Sequence, residues 1–510
     1  MDRKKIISAS ILIGVLGIVS KLMGAFRVMA IGWKFGQGIE TDAYNAAIKV
    51  TMVSMSIIGA AIFTALVPVL ANVKEKYGTR GKFKFFNNIS NIVLVLALFI
   101  GLVTYIFAPV IIKIMFTSFQ KEKFDLAVSL TRLAVPIIPA LALMNLVTGY
   151  LHSFNIYGPY AFMGIPYNLV FFIYLFAFPI SIEGLIMATF LANLTQIIIQ
   201  LPQTFKTGFR PRPLIDLKDP FVPKMIGLII PVAIGQAAQQ INIIIDQNLA
   251  SGLADGVITA LDNASKINDS IIAIFITGFT TVMFPLLSEA FEKKDNEKIL
   301  SLVDSALGAV FLITIPATIG IMVLSKDLIR VMFERYMFTK NDTLVTAGAF
   351  FYYSLGLTGQ GLRMLFSKVY YSLQDTKTPM INGLFAVGIN IALDLILIKF
   401  MGHKGLALAT SLAITISTLY LIYGLRKKIP EINFTGFIIE FVKILISSAI
   451  MGIAVYFVNS TLNGLGIVGF TSILIDIVIA FVVYLIMIVI TRVKSIDLYV
   501  GAIKKKLKKA

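Results

Sequence analysis

The sequence predicts an all-α polytopic membrane protein of about fourteen transmembrane helices, built as two six-helix pseudo-symmetric lobes plus two C-terminal helices. Three observations predict this. Hydrophobic residues make up 57% of the 510 and charged residues only 14%, against about 45–50% and about 25% in soluble globular chains; the mean hydropathy is +0.87. The apolar residues gather into runs at least as long as the roughly 20 that cross a bilayer as a helix, not the ten-residue alternations of an outer-membrane barrel. A pattern in the first half of the chain returns in the second. Lipid offers no partner to backbone polar groups, so helices are the spanning element. The composition excludes a soluble cytosolic or secreted enzyme and a disordered chain.

The basic start Met1–Lys5 leads straight into span 1, at 6–34, with no small-residue cleavage site after a short apolar core, so no cleavable signal peptide is expected. Spans 2 and 3, at 41–73 and 88–116, are separated by Lys74, Lys76, Arg80, Lys82 and Lys84. Spans 4, 5 and 6, at 126–152, 157–181 and 183–205, end at Lys206, Arg210, Arg212 and Lys218. Spans 7 and 8, at 223–251 and 256–291, are joined by Gly252–Asp255 and followed by Lys293, Lys294 and Lys298. Spans 9 and 10, at 298–325 and 342–373, enclose Lys326, Arg330, Arg335 and Lys340, an exception read as an external loop. Spans 11 and 12, at 378–401 and 404–426, end at Arg426, Lys427 and Lys428. Spans 13 and 14, at 436–459 and 465–492, are joined by Asn459–Gly464 and lead to a tail with Lys504, Lys505, Lys506, Lys508 and Lys509. Basic connections thus mostly alternate with poor ones, and the net charge of +18 reads as topology rather than nucleic-acid binding. Positive-inside logic puts both termini in the cytoplasm, with an amphipathic tail, Tyr499–Ala510, on the anionic inner leaflet. Spans longer than the bilayer tilt or protrude. The lone Trp33 is expected at an interface.

Shifting the sequence by 217 residues lays span 2 on span 8: Ala43, Ala47, Lys49, Ile57, Thr64, Pro68 and Leu70 fall on Ala260, Ala264, Lys266, Ile274, Thr281, Pro285 and Leu287. The offset covers six spans, an even number, so both copies cross in the same direction, as parallel repeats do. The expected domains are an N-lobe at 1–218, a C-lobe at 219–430, and a terminal pair with its basic tail at 431–510.

Two sets of residues carry chemistry. A charge deep in a span costs on the order of 3 kcal/mol or more and usually faces a cavity or a partner. Lys21 and Arg27 flank Gly24 in span 1, Lys49 follows Asp42 by seven residues in span 2, and Lys266 lies in span 8 with Asp262 at i−4 and Asp269 at i+3. Lysine and arginine suit a phosphate or diphosphate, as point charge and fork respectively, so Lys21, Arg27, Asp42, Lys49, Lys266 and Asp269 form the candidate substrate-binding set in a cationic cavity between the lobes. Snorkelling of Lys21 and Arg27, and local ion pairs at Lys266 and Lys49, are the competing readings. The second set is Asp246 in span 7, Asn390 and Asp394 one turn apart in span 11, and Thr410 in span 12. Two carboxylates, an amide oxygen and a hydroxyl are hard ligands suited to Na⁺ or a proton relay; a plain interhelical hydrogen-bond network is the alternative. With no cysteine and two histidines, His152 and His403, a thiolate or histidine-rich metal centre is excluded. No loop is long enough to suggest a membrane-embedded enzyme, and an acidic or aromatic cavity, as a drug exporter favours, is not what these cations suggest.

These residues resemble the MurJ (MviN) lipid II flippases, within the superfamily that includes MATE drug exporters and polysaccharide flippases. Ser20-Lys21-Leu22-Met23-Gly24-Ala25-Phe26-Arg27, followed by Thr41-Asp42-Ala43, is similar to the family's S-R-x-x-G-x-x-R-D and D-A-F. Gln240-Ile241-Asn242 through Asp246, then Ala250-Ser251, is similar to its seventh span, and Ala264-Ser265-Lys266 stands where it has A-D-R. Phe284-Pro285-Leu286-Leu287-Ser288 matches F-P-x-L-S, and Tyr371 to Pro379 matches Y-x-x-x-D-T-x-T-P. Gly405 to Ser411 matches G-L-A-L-A-T-S. The resemblance implies a lipid II flippase of a bacterial cytoplasmic membrane, working by alternating access, with no enzymatic activity and no nucleic-acid partner. It implies that Lys21, Arg27 and Lys266 meet the lipid diphosphate, that the two last helices form a lipid-tail groove, and that Asp246, Asn390, Asp394 and Thr410 form a sodium site. No resident cofactor is expected beyond Na⁺ as a coupling ion. Departures from the family pattern are Val28 and Ser265 in place of aspartates, Met55 in place of an arginine, and lysines at 21 and 266 in place of arginines. They leave open export of another polyprenyl-diphosphate-linked oligosaccharide.

Overall fold

The computed structural model describes residues 3–496 except residue 433, so the Tyr499–Ala510 tail lies outside the described residues. All regular elements among the described residues are helices. The chain divides by packing into two compact units, Met1–Thr259 and Ala260–Ala510. This division rests on packing, whereas the lobes at 1–218 and 219–430 are an expectation from span order.

The first unit holds α1 (Arg3–Phe35), α2 (Ile39–Met115), α3 (Lys121–Ala134), α4 (Ile137–His152), α5 (Gly158–Phe162), α6 (Gly164–Ala177), α7 (Ile182–Lys206) and α8 (Phe221–Ser251). Expected spans 2 and 3 are the two arms of the 77-residue α2, two helices that meet at a kink at Gly78. Straight, such a helix would extend about 115 Å at 1.5 Å per residue, several times a bilayer. Gly78 adopts φ +67° and ψ −171°, a backbone state that costs glycine little and other residues much. The chain doubles back there, and both arms enter one core: Ile62, Leu66 and Leu70 from the first arm, Phe85, Phe86 and Ile89 from the second, with Leu146 and Tyr150 of α4. The connection leaving α7 is held by asparagines on the second arm. Asn87 donates to the Arg210 carbonyl (3.1 Å) and accepts from the Arg212 N–H (2.7 Å). Asn88 does the same at Asp216, at 2.7 and 2.6 Å, and Asn91 donates to the Leu214 carbonyl at 3.0 Å. Side-chain amides thus satisfy an extended backbone that has no strand beside it, and they fix where α8 begins.

The first turn of α9 (Val257–Ile272) still belongs to the first unit; from Ala260 the second unit continues through a π-helical turn at Ala273–Thr277 into α10 (Gly278–Glu292), then α11 (Asn296–Phe333), α12 (Lys340–Ser354), α13 (Leu357–Ser372), α14 (Lys377–Met401), α15 (His403–Lys428), α16 (Phe434–Gly464) and α17 (Phe470–Ile490). The terminal pair packs on α11, where the Tyr484 hydroxyl donates to the Leu312 carbonyl at 3.0 Å. Within the pair, buried Asp476 accepts from Asn459 at 2.8 Å.

Ten described helices are long and apolar enough to cross a membrane, or eleven if α3 and α4, bent by 42°, count as one span. The chain is therefore a multi-pass membrane protein, with ten or eleven such helices among the described residues against about fourteen expected spans. Spans 2 and 3 are the two arms of α2, span 5 is met by Gly158–Ala177, span 8 runs through the π-helical turn between α9 and α10, and expected span 10 is divided into α12 and α13, each shorter than a bilayer crossing. Trp33, expected at an interface, is buried, its ring 5.4 Å from that of Phe26.

Candidate substrate and ion sites

In the first unit α1 presents two of the expected cations. Lys21 is exposed, whereas Arg27 is half-buried. The Arg27 guanidinium lies 4.9 Å from the Tyr167 ring and 4.7 Å from the Phe171 ring, both on α6. Its Nε is buried and has no hydrogen-bond partner among the described residues. Aromatic faces hold the cation by their quadrupoles without consuming its donors, which leaves a fork competent to bind an anion. Lys49 is half-buried on α2.

Asp42, grouped with the substrate-binding residues on sequence grounds, is fully buried and satisfied by its own chain. Its Oδ1 accepts from the Thr259 N–H (3.0 Å) and hydroxyl (2.8 Å). Its Oδ2 accepts from the Gly256 N–H (2.8 Å) and from Lys123 Nζ (2.9 Å). Lys123 also reaches Asp255 at 2.6 Å. The carboxylate thus takes the place of an N-cap for the turn that starts α9, where free N–H groups and the helix dipole favour negative charge. Gly256 makes this approach possible: its φ is +83°, and a Cβ there would lie 3.0 Å from the Gln37 backbone carbonyl carbon. Asp42 and Thr259 are separated by 217 residues, the repeat offset, so a residue and its repeat counterpart touch. The ion-pair partner of Asp42 is Lys123, which the sequence reading missed. A lysine at the start of α3 carries no signal, because lysines near span ends are ordinary.

In the second unit Lys266 pairs with Asp262, as the i−4 spacing allowed, yet its side chain remains 47% exposed. Asp269, the i+3 neighbour, accepts from Gln360 of α13 at 3.1 Å. Of the expected ion ligands, Asn390 and Asp394 are buried on α14. Thr410 on α15 is half-buried and donates to the Leu406 carbonyl at 3.1 Å. Helices α14 and α15 pack along each other, so these three belong to one helix pair. Asp246 belongs to the first unit, where it accepts from Asn242 at 3.2 Å. No group of three or more His, Cys, Asp or Glu side chains placed to hold a metal occurs among the described residues.

The second unit also holds two adjoining apolar cavities of about 390 and 330 Å³ that share Phe311, Leu362, Leu419, Ile422 and Phe441. Helices α11, α13, α15 and α16 line them, and Arg426 stands in the wall of the smaller one. Of the terminal pair, α16 contributes to this lining.

Outside the spans, Asp375 sits in the turn between α13 and α14. It accepts from the Thr378 N–H (2.9 Å) and hydroxyl (2.6 Å) and pairs with Lys428 at 3.0 Å. Partial burial pushes its carboxyl up, but the Thr378 and Lys428 donors outweigh that and hold it at about 2.

The family model described as lipid II flippase MurJ matches residues 31–476. A probable lipid II flippase MurJ of Rickettsia prowazekii (strain Madrid E) is 27% identical over 453 residues, 88% of this chain and 89% of the relative. A solved structure, lipid II flippase MurJ in an inward closed conformation, superposes with a TM-score of 0.79 at 26% identity, covering 94% of this chain and 99% of that one. A multidrug resistance MATE family transporter of the MOP superfamily, in an inward-facing conformation, shares the fold at TM-score 0.67 and 14% identity over 82% of this chain and 98% of its own. The family is one of transporters rather than enzymes, and with its model matching most of the sequence this chain belongs to the MurJ lipid II flippase family.

Proposed function

We propose that this protein flips lipid II, the undecaprenyl-diphosphate-linked peptidoglycan precursor, from the inner to the outer leaflet of a bacterial cytoplasmic membrane by alternating access. Both termini face the cytoplasm in this reading. The observation that carries it is Arg27: a guanidinium in a spanning helix, braced by two aromatic rings, with a buried Nε not bonded to any described residue. A cation held that way in a membrane is kept for an anion. Lys21 and Lys49 add charge on the same unit, and Lys266 on the other. The apolar cavities of the second unit give a polyprenyl tail a lining of aliphatic and aromatic side chains. Asp42 acts by positioning: with Lys123 and Thr259 it holds a polar joint at what this topology makes the outer ends of the spans. A joint of hydrogen bonds and ion pairs can break and reform, which an alternating-access cycle requires.

Na⁺ is the proposed coupling ion. Asn390, Asp394 and Thr410 would hold it, with Asp246 as the fourth ligand, and the bound ion would neutralise a buried carboxylate. A second reading, export of a different polyprenyl-diphosphate glycan, is favoured by Lys21 and Lys266, which replace the family's forks with point charges.

Rescue tests both readings. The chain is expressed in cells depleted of their own lipid II flippase. Growth is expected to return with the wild-type chain and not with Arg27→Ala or Lys266→Ala, at equal membrane abundance, while Lys266→Arg is tolerated. Normal growth with both alanine variants excludes the diphosphate reading, and failure of the wild-type chain in a well-expressing host favours the other glycan.

A further inference from the structure

Helix α13 has two chemically different faces. Gln360, Arg363 and Ser367 recur at three- and four-residue spacing, which on a helix stacks them in one stripe. At Gln360 this stripe meets α9. Gln360 donates to Asp269 (3.1 Å) and accepts from Asn268 (3.4 Å), and Lys368 Nζ lies 5.0 Å from the Phe284 ring. The other face, with Thr358, Leu362 and Phe366, lines the apolar cavities.

Arg363 is half-buried within the polar stripe. Its guanidinium makes no ion pair and no hydrogen bond among the described residues; only its backbone carbonyl is engaged, by the Ser367 hydroxyl. Three lysines of this chain are matched by carboxylates: Lys123 by Asp42 and Asp255, Lys266 by Asp262, Lys428 by Asp375. A guanidinium inside an expected span with no protein anion is costly unless water or a ligand meets it. Lys266 stands one turn from Asp269 on α9, and Arg363 one turn from Gln360 on α13, with the Gln360–Asp269 hydrogen bond joining the helices.

We infer that Arg363 is a substrate-binding residue of the second unit that grips two oxygens of the lipid diphosphate with its planar fork, next along the polar track from Lys266. The inference deepens the proposed function and rests on its diphosphate reading. The chemistry is specific. Lysines at 21 and 266 offer point charges that do not distinguish one phosphate from two, whereas the five fixed donors of a guanidinium take oxygens in pairs, and a diphosphate occupies more of them than a monophosphate does. Arg363 therefore supplies discrimination between a lipid diphosphate and a lipid monophosphate.

The test is equilibrium binding of undecaprenyl diphosphate and undecaprenyl monophosphate to the purified full-length chain in nanodiscs, for wild type, Arg363→Ala, Arg363→Lys and Lys266→Ala. Wild type is expected to prefer the diphosphate. Arg363→Ala loses roughly tenfold or more of that affinity and most of the preference. Arg363→Lys keeps much of the affinity but not the preference, and Lys266→Ala weakens both lipids. Diphosphate affinity and preference unchanged in a folded Arg363→Ala overturn the inference while wild-type binding leaves the diphosphate reading standing. Absence of diphosphate binding by wild type overturns the reading itself, and the inference with it. If Arg363→Ala does not fold, Arg363→Lys decides: a preference equal to wild type overturns the inference.

Discussion

At the scale of single residues, the most exacting arrangement is the joint at Asp42. A fully buried carboxylate is tolerable only when its oxygens are satisfied, and here they take two backbone N–H groups, a hydroxyl and an ammonium. Removing one partner of a buried pair strands the other, at a cost of about 3–5 kcal/mol. Lys123→Ala is therefore expected to lower the thermal midpoint of the purified protein sharply. Asp255→Ala should have little effect, because the Asp255 side chain is 57% exposed and an exposed pair is worth about 0–1 kcal/mol. Joint replacement of Asp42 by Asn and Lys123 by Met should cost less than the sum of the two single changes. Equal midpoints for Lys123→Ala and Asp255→Ala contradict this account. Half of the joint was legible in the sequence. Asp42 stands out because it follows the start of a span closely, whereas Lys123 is hidden among other charges at a span end and Thr259 is an unremarkable polar residue until the 217-residue repeat and the contact are seen together. Arg363 was legible by the same rule that selected Lys21 and Arg27, a charge inside a span; it lies within 342–373 and went unselected only because no repeat counterpart or family motif drew attention to it.

At the scale of elements, the turn between α13 and α14 shows how a short motif sets a helix start. Asp375 and Thr378 cap α14, and Lys428 at the end of α15 ties the two helices together outside the spans. Asp375→Ala is expected to cost about 1–2 kcal/mol near neutral pH, the usual size of a lost N-cap. The effect has a defined pH dependence. The carboxyl is held at about 2, below the ordinary 3.8, so the ionised form favours folding. That contribution is complete above about pH 4 and fades as pH falls toward about 2. The stability gap between wild type and Asp375→Ala, measured by thermal unfolding at about pH 7 and again at about pH 2.5, should narrow at the lower pH. A constant gap means the side chain acts by shape rather than charge. The motif was visible in the sequence, whereas the place where α2 breaks was not. Residues 74–87 are rich in lysine and hold no proline, so nothing ends the helix except one glycine whose left-handed backbone only the fold reveals.

At the scale of the whole molecule, the sequence carried the architecture because burying about twenty apolar residues per crossing is a long-range, redundant signal. The ion site was carried less far. Spacing alone brought Asn390, Asp394 and Thr410 to notice, and the structure places them on one pair of packed helices, while Asp246 enters the set from the other unit on sequence grounds. A fully buried Asp394 in a membrane helix gives the coupling proposal a measurable consequence. Neutralising that carboxylate by a bound cation offsets its desolvation cost, so a fitting cation stabilises the folded state by mass action, in proportion to its free concentration over its dissociation constant. Na⁺ should raise the thermal midpoint more than K⁺ at equal ionic strength; that control matters because both salts screen surface charge alike on this strongly basic chain. Asp394→Asn removes the charge that the ion neutralises, so the Na⁺–K⁺ difference should vanish in that variant while binding of the lipid diphosphate, which rests on other residues, persists. Asp246→Asn then distinguishes a site confined to α14 and α15 from one that draws on the first unit: loss of the difference in both variants supports the four-ligand set, and loss in Asp394→Asn alone restricts it to three. Equal stabilisation by Na⁺ and K⁺ in wild type, unchanged in either variant, means that these residues form a hydrogen-bond network with no sodium selectivity, and the energy source of the cycle must then lie elsewhere.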